Sequence, residues 1–208
     1  MPEKPPEPTR VTRMPRDARR AQLLEAAGEV FVERGYHATS MDEIAESAGV
    51  SKPVLYQHFP GKRELYLALI DLNAAALEQA VTEALTSTSD NKQRVEATIG
   101  AYFDFVGEQQ SQFRLVFGSD FRDDSVHERL AALQRVCAEA IGQIIAEDTE
   151  MPPSKAHLLG RALAGMAEIS ARHWLAHPED MSREEAAGLT STLAWRGISR
   201  FPKTHADV

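Results

Sequence analysis

Apolar residues recur every three or four positions along most of the chain, and no stretch alternates apolar and polar residues in the way a half-buried strand would. The pattern predicts an all-α protein of about nine helices. A first helix runs through RRAQLLEAAGEVFVERGYHATS. A short one follows with Met41, Ile44, Ala45 and Ala48 on one face, then a second short one with Leu55 and Phe59 turned inward. Longer helices are expected over about 62–85, 92–108, 124–147, 154–177 and 182–200, with a short apolar piece at 111–118. The polar run TSTSDN, the Pro152-Pro153 pair, Pro178 and Pro202 punctuate them.

The two short helices are written in unusual detail. Thr39 and Ser40 stand three residues before Asp42 and Glu43, giving two overlapping capping boxes. Gly49 ends the first helix where a left-handed residue costs nothing, and Val50 is the apolar plug of the turn. Ser51 opens the second helix, and Pro53 is tolerated because the first turn has no amide bond to lose. This is a helix-turn-helix, whose second helix enters a major groove. With Leu55 and Phe59 inward, Lys52, Pro53, Val54, Tyr56, Gln57 and His58 are left for the nucleic acid. Gln57 suits adenine, Lys52 guanine, and Pro53 or Val54 a thymine methyl. Thr39 and Ser40 can donate to phosphate. Lys62, a cation opening the long helix against its dipole, is explained if a phosphate sits there.

Composition narrows the class. At 208 residues the chain can bury one or two cores, and no apolar run approaches membrane-spanning length. With a polar, Pro-rich start and no signal-peptide pattern, a cytoplasmic protein is expected. The single Cys137 leaves no intrachain disulfide or multi-Cys zinc site and reads as packing. The net charge of −8 looks wrong for a DNA binder until it is divided. Residues 1–66 hold 10 basic and 10 acidic side chains, residues 67–208 hold 13 and 21, so the deficit lies wholly beyond the reader. Six basic residues in the first twenty, Arg16 and Arg19 among them, make a positive arm suited to phosphates.

At these residues the chain resembles the tetracycline-repressor (TetR) family of bacterial regulators. The likeness rests on Leu23-Leu24, Ala26-Ala27, Phe31, Gly35-Tyr36, Thr39, Ile44-Ala45, Ala48-Gly49-Val50-Ser51, Leu55-Tyr56, His58-Phe59 and Lys62, with Leu23 where many members have Ile. It implies DNA recognition through the second short helix, with Tyr56 and Lys62 on phosphates. The expected division is a basic arm at 1–14, the reader at 15–61, an effector and dimerisation bundle at 62–202 whose first helix bridges to the reader, and a tail at 203–208. The resemblance also implies that the last two helices pair with a second copy. Gly160, Ala164, Ala167 and Ala171 form a small-residue stripe for such pairing, joined by Leu189, Leu193 and Gly197. A half-operator reader independently calls for two-fold pairing on a palindromic double-stranded operator.

Five Phe residues between 103 and 121 suit an apolar ligand such as an acyl chain or a hydrophobic drug. The expected surroundings are Tyr102, Phe103, Phe105, Phe113, Phe117, Phe121, Gln134, Met166, Ser170, His173 and Trp174, with Glu168 and Arg172 as further polar groups. By resemblance, the ligand releases a repressor from its operator; activation by the same fold is the alternative. Two other classes compete. A metal-dependent enzyme would build on His173 and His177, four apart, with Glu168, Glu179 and Asp180 near in sequence, but His177 before Pro178 reads as a cap. A helical interaction module would not need Tyr56, Lys62 and the basic arm. No catalytic residue, metal or cofactor is expected.

Overall fold

The computed structural model describes residues 14–108 and 123–198. These hold eight helices: α1 (Arg16–Ala38), α2 (Met41–Ser47), α3 (Lys52–His58), α4 (Lys62–Thr86), α5 (Asn91–Glu108), α6 (Asp124–Thr149), α7 (Pro153–Ala176) and α8 (Arg183–Ile198). The apolar piece expected at 111–118 lies outside the described residues.

Two apolar cores form, one behind the helix-turn-helix and one in the bundle. The first collects Leu23, Ala27 and Phe31 of α1, Ile44 of α2, Leu55 of α3 and Leu65, Tyr66 and Ile70 of α4. The second joins Leu77 and Val81 of α4, Phe103 and Val106 of α5, Leu133 and Cys137 of α6, and Ala171, Trp174 and Leu175 of α7. Burying each large side chain stabilises by about 1.5–3 kcal/mol, so each core holds its own helices. α4 contributes side chains to both cores. α6 does so too: Val126 is buried in the first core and Leu130 packs against it, while Leu133 and Cys137 belong to the second. A single 26-residue helix thus has one end in the reader and its length in the bundle.

α6 and α7 run side by side at backbone contact. A Cβ on Gly160 would collide with the carbonyl of Ala138 and stand 2.8 Å from the nitrogen of Gly142. One on Gly142 would stand 3.1 Å from the Cα of His157. The small-residue stripe of α7 is therefore taken up inside the protomer. Gly160 meets α6, and Ala167 and Ala171 are buried in the second core. The outward apolar face is a different one: Leu158 and Ile169 of α7 and Leu189 and Leu193 of α8 are each 60–69% exposed.

Candidate nucleic-acid interface and ligand cavity

Local chemistry places the reader. Ser40 caps α2 in one complete capping box: its Oγ accepts from the Glu43 amide, and Glu43 accepts from the Ser40 amide at 2.8 Å. Glu43 also pairs with Arg34 of α1. Gly49 turns at φ 63°, where a Cβ would be strained. The second capping box does not form. Thr39 is 2% exposed, and its hydroxyl donates to the Gly35 carbonyl at 2.8 Å. Gly35 itself breaks α1 at φ 76°, so Thr39 stabilises that break and is closed to phosphate. Ser51 stands at the N-cap of α3 but makes no side-chain cap bond.

α3 is anchored by Leu55, fully buried, and Phe59 beyond it, over whose ring the Arg20 guanidinium lies at 4.6 Å. Lys52, Pro53, Tyr56 and Gln57 are exposed, with Val54 and His58 partly covered. Tyr56 is 49% exposed. Lys52 reaches Asp42 of α2 at 2.6 Å in an exposed pair, a contact weak enough to exchange for a phosphate or base. Arg16 is exposed at the start of α1, and Arg19 donates to Gln22, which in turn holds the Ala48 carbonyl at the end of α2.

Lys62 departs from expectation. Its ammonium donates to the carbonyls of Tyr36 (2.9 Å), His37 (3.3 Å) and Thr39 (2.8 Å) and lies 4.6 Å over the Tyr36 ring. The cation at the start of α4 is explained by the carbonyls at the end of α1 that accept from it, with no phosphate required. No local pattern could show this, because the partners lie 23 to 26 residues away.

A clasp joins reader and bundle. Arg63 donates to both carboxylate oxygens of Asp123, at 2.7 and 3.1 Å, and to the Ser125 hydroxyl at 2.7 Å. About two turns further along α4 and one along α6, Arg129 pairs with Asp71 at 2.6 Å. The Arg63 hydrogen bonds hold the Asp123 carboxyl down to about 2 from its ordinary 3.8. Because the folded value is depressed, this stabilisation is present above the ordinary value and is lost as pH falls towards 2. Thermal melts should show Asp123→Asn clearly less stable than the parent at pH 6, with the gap closing between pH 4 and 2. A gap that stays constant through that window would refute the assignment.

Between α4, α5, α6 and α7, with the end of α8 beside them, lies a cavity of about 420 Å³, within the usual size of small-molecule sites. Leu77, Val81, Ile99, Ile141, Ile144 and Leu163 make its apolar wall. Polar groups gather at its ends. At one, Arg94 pairs with Asp148 at 2.8 Å beside Asn91 and Thr149. At the other, Gln134 of α6 donates to Glu168 of α7, itself 8% exposed, with Arg172 at 3.5 Å and Tyr102 alongside. Burial and the nearby Glu168 push the Tyr102 phenol well above its ordinary range. Cys137, also on the wall, is raised to about 11 by burial, so its thiol stays protonated. On the α5 wall, the hydroxyl of Thr98 is buried with no hydrogen-bond partner among the described residues.

Of the described side chains expected around the ligand, Tyr102, Gln134 and Glu168 line this cavity. Phe103 is fully buried against Trp174, with ring centroids 6.1 Å apart, and Phe105 and Met166 pack on the same core. Ser170, His173 and Trp174 border a shallower hollow between α7 and α8. Phe113, Phe117 and Phe121 lie outside the described residues. The cavity wall is mostly aliphatic, from Leu, Val and Ile, with Tyr102 and Trp195 as its aromatic members, and the Phe cluster in the sequence gave no signal for it. His177 has Nδ1 3.2 Å from the His173 carbonyl oxygen, as a helix-end His should. Among the described residues no three His, Cys, Asp or Glu groups are placed to hold a metal.

Comparison with known proteins follows the same division. A family model described as bacterial regulatory proteins, tetR family, matches residues 23–69. Another, described as the tetracyclin repressor-like C-terminal domain, matches residues 91–197. The HTH-type transcriptional activator FasR of Mycolicibacterium smegmatis is 41% identical over 95% of this chain and 90% of its own length. The HTH-type transcriptional repressor KstR2 of Mycobacterium tuberculosis is 25% identical over 75% of this chain and 81% of its own. A crystal structure of a TetR-like transcriptional regulator from Rhodococcus sp. RHA1 superposes with a TM-score of 0.71 and 28% identity, covering 91% of this chain and all of the other.

Proposed function

Since the chain belongs to the TetR family of bacterial transcriptional regulators, we propose that it reads a palindromic operator as a homodimer and leaves it when an apolar effector fills the bundle cavity. One observation carries the reading. The cavity wall is built on α4 and α6, and both helices continue into the reader's core. An effector that prefers one arrangement of these two helices therefore biases the position of α3, and only such differential affinity can move the equilibrium. Two readers on one face of DNA must sit about 34–36 Å apart per helical turn, so a shift of a few ångströms suffices for release.

The exposed Leu158, Ile169, Leu189 and Leu193 make α7 and α8 the natural dimer face, replacing the small-residue stripe in that role. The effector is apolar because the wall is, and a mostly aliphatic lining spread along α6 from Gln134 to Thr149 favours a chain over a flat aromatic drug. The protein works where the DNA is, in the cytoplasm; among the described residues no helix is long and apolar enough to cross a membrane. Release from the operator lifts repression when the site overlaps a promoter. A second reading, activation, is favoured by the 41% identity to a relative named as an activator; the release step is the same, and the operator's position decides the sign.

Fluorescence anisotropy with DNA flanking the protein's own gene tests this directly. Binding to one palindromic fragment should resist competitor DNA, weaken steeply with salt, and disappear on adding saturated fatty acids or their coenzyme A thioesters. The double variant Ile169→Glu/Leu189→Glu should sediment as a monomer and lose operator affinity. Equal, weak binding to all fragments, or a dimeric double variant, would overturn the corresponding part of the proposal.

A further inference from the structure

We propose that the Gln134–Glu168 bridge is a chain-length stop, fixing how long an aliphatic effector can be. The inference rests on the effector reading above and adds what limits it. The cavity lining runs along α6 from Gln134 to Asp148 and Thr149, with polar groups at both ends of that stretch and Ile141, Ile144 and Ile145 between. Along α6, Gln134 and Asp148 are fourteen residues apart, roughly 21 Å at the helical rise. Each end carries a carboxylate, but only Arg94 puts a guanidinium on the cavity lining, while Arg172 lies outside it, so an anionic head is drawn to the Arg94 end. The tail then points at the bridge.

Each methylene laid on the Leu77, Val81, Ile141 and Ile144 surface improves binding by roughly fourfold. The gain stops where the tail reaches Gln134. Gln134 lies at the surface and Glu168 beneath it at 8% exposure. A longer chain has to push the amide aside, leaving a buried carboxylate with Arg172 at 3.5 Å as its remaining charged partner. Depriving the buried carboxylate of that hydrogen bond and setting methylenes against it costs about fivefold to a hundredfold in affinity or more, above what a methylene returns. Affinity should therefore climb with length, peak, and then drop by tenfold or more.

The test is a binding series of saturated fatty acids, each longer than the last by two methylenes, run against the full-length dimer by isothermal titration. Coenzyme A thioesters of the same chains form the second arm and separate the effect of the head from that of the tail. The wild type should show a defined optimum. Gln134→Leu/Glu168→Met should move it to longer chains by at least one step of the series. Gln134→Leu alone, at an exposed position that does not endanger folding, should move it in the same direction and by less. A continuous rise with length in the wild type, or the same optimum in both variants, overturns the stop while leaving the effector reading in place. Failure of every chain to bind overturns both.

Discussion

Tyr56→Ala is expected to weaken operator binding by ten- to a hundredfold and to leave the melting temperature almost unchanged. The side chain is 49% exposed on the outer face of α3 and contributes little to the core, so its removal costs little folding energy. In the proposed operator complex its expected role is a phosphate contact that fixes the register of Gln57 and Lys52 on the base edges. Truncating one well-placed reading contact costs about 1–3 kcal/mol, which is that loss in affinity. Lys62→Met supplies the contrast. Its ammonium holds three carbonyls at the end of α1 and the face of Tyr36. Losing these hydrogen bonds should lower stability by about 2 kcal/mol, and DNA binding should fall only as far as the reader loosens. Equilibrium denaturation beside anisotropy separates the two. If Lys62→Met lost operator affinity at unchanged stability, the phosphate role would return. A Tyr56→Ala protein that melted several degrees early would make Tyr56 a packing residue.

The reader was legible because its determinants are local. The Ser40–Glu43 cap, the left-handed Gly49 and the Pro at the start of α3 each act on backbone within about four residues of themselves, and spacing alone carries such information. Where a side chain answers to a distant partner, spacing is silent. Thr39 serves the break at Gly35, and Lys62 serves the end of α1. Each keeps the residue type that the resemblance demands while facing the protein.

In the bundle the helices were legible and their neighbours were not. Period 3.6 tells which residues share a face but not what that face meets. α7 is apolar or small on three sides. One side, with Leu159, Leu163 and Ala164, walls the cavity; another, with Ala167, Ala171 and Trp174, fills the core; the third carries Leu158 and Ile169 into solvent. A helix apolar all round is one that is covered all round, and that was the signal available for the outer face. The Phe cluster misled for a similar reason. Phe103 is fully buried against Trp174, as large aromatic side chains usually are.

Gly160 separates the two accounts of that helix most sharply. If it lay between protomers, Gly160→Ala would disturb association and leave the isolated fold intact. Instead its missing Cβ admits the α6 backbone, with the Ala138 carbonyl, the Gly142 nitrogen and the Gly142 Cα all within reach of a methyl group. These are backbone atoms of a packed helix, so no rotamer change makes room. The two helices must separate along their whole contact. Overpacking a core costs about 1–3 kcal/mol when side chains can adjust, and here the neighbour is rigid, so the loss should reach or exceed about 3 kcal/mol. For a protein whose net stability is about 5–15 kcal/mol, that is a large share. Gly160→Ala should show a melting temperature lower by many degrees at every protein concentration. The effector site should suffer as well, since α6 and α7 both wall the cavity. A dimer lesion would behave oppositely, with a melting temperature that recovers as concentration rises. Sedimentation and melts over a hundredfold range of concentration distinguish the two, and recovery would return Gly160 to the dimer interface.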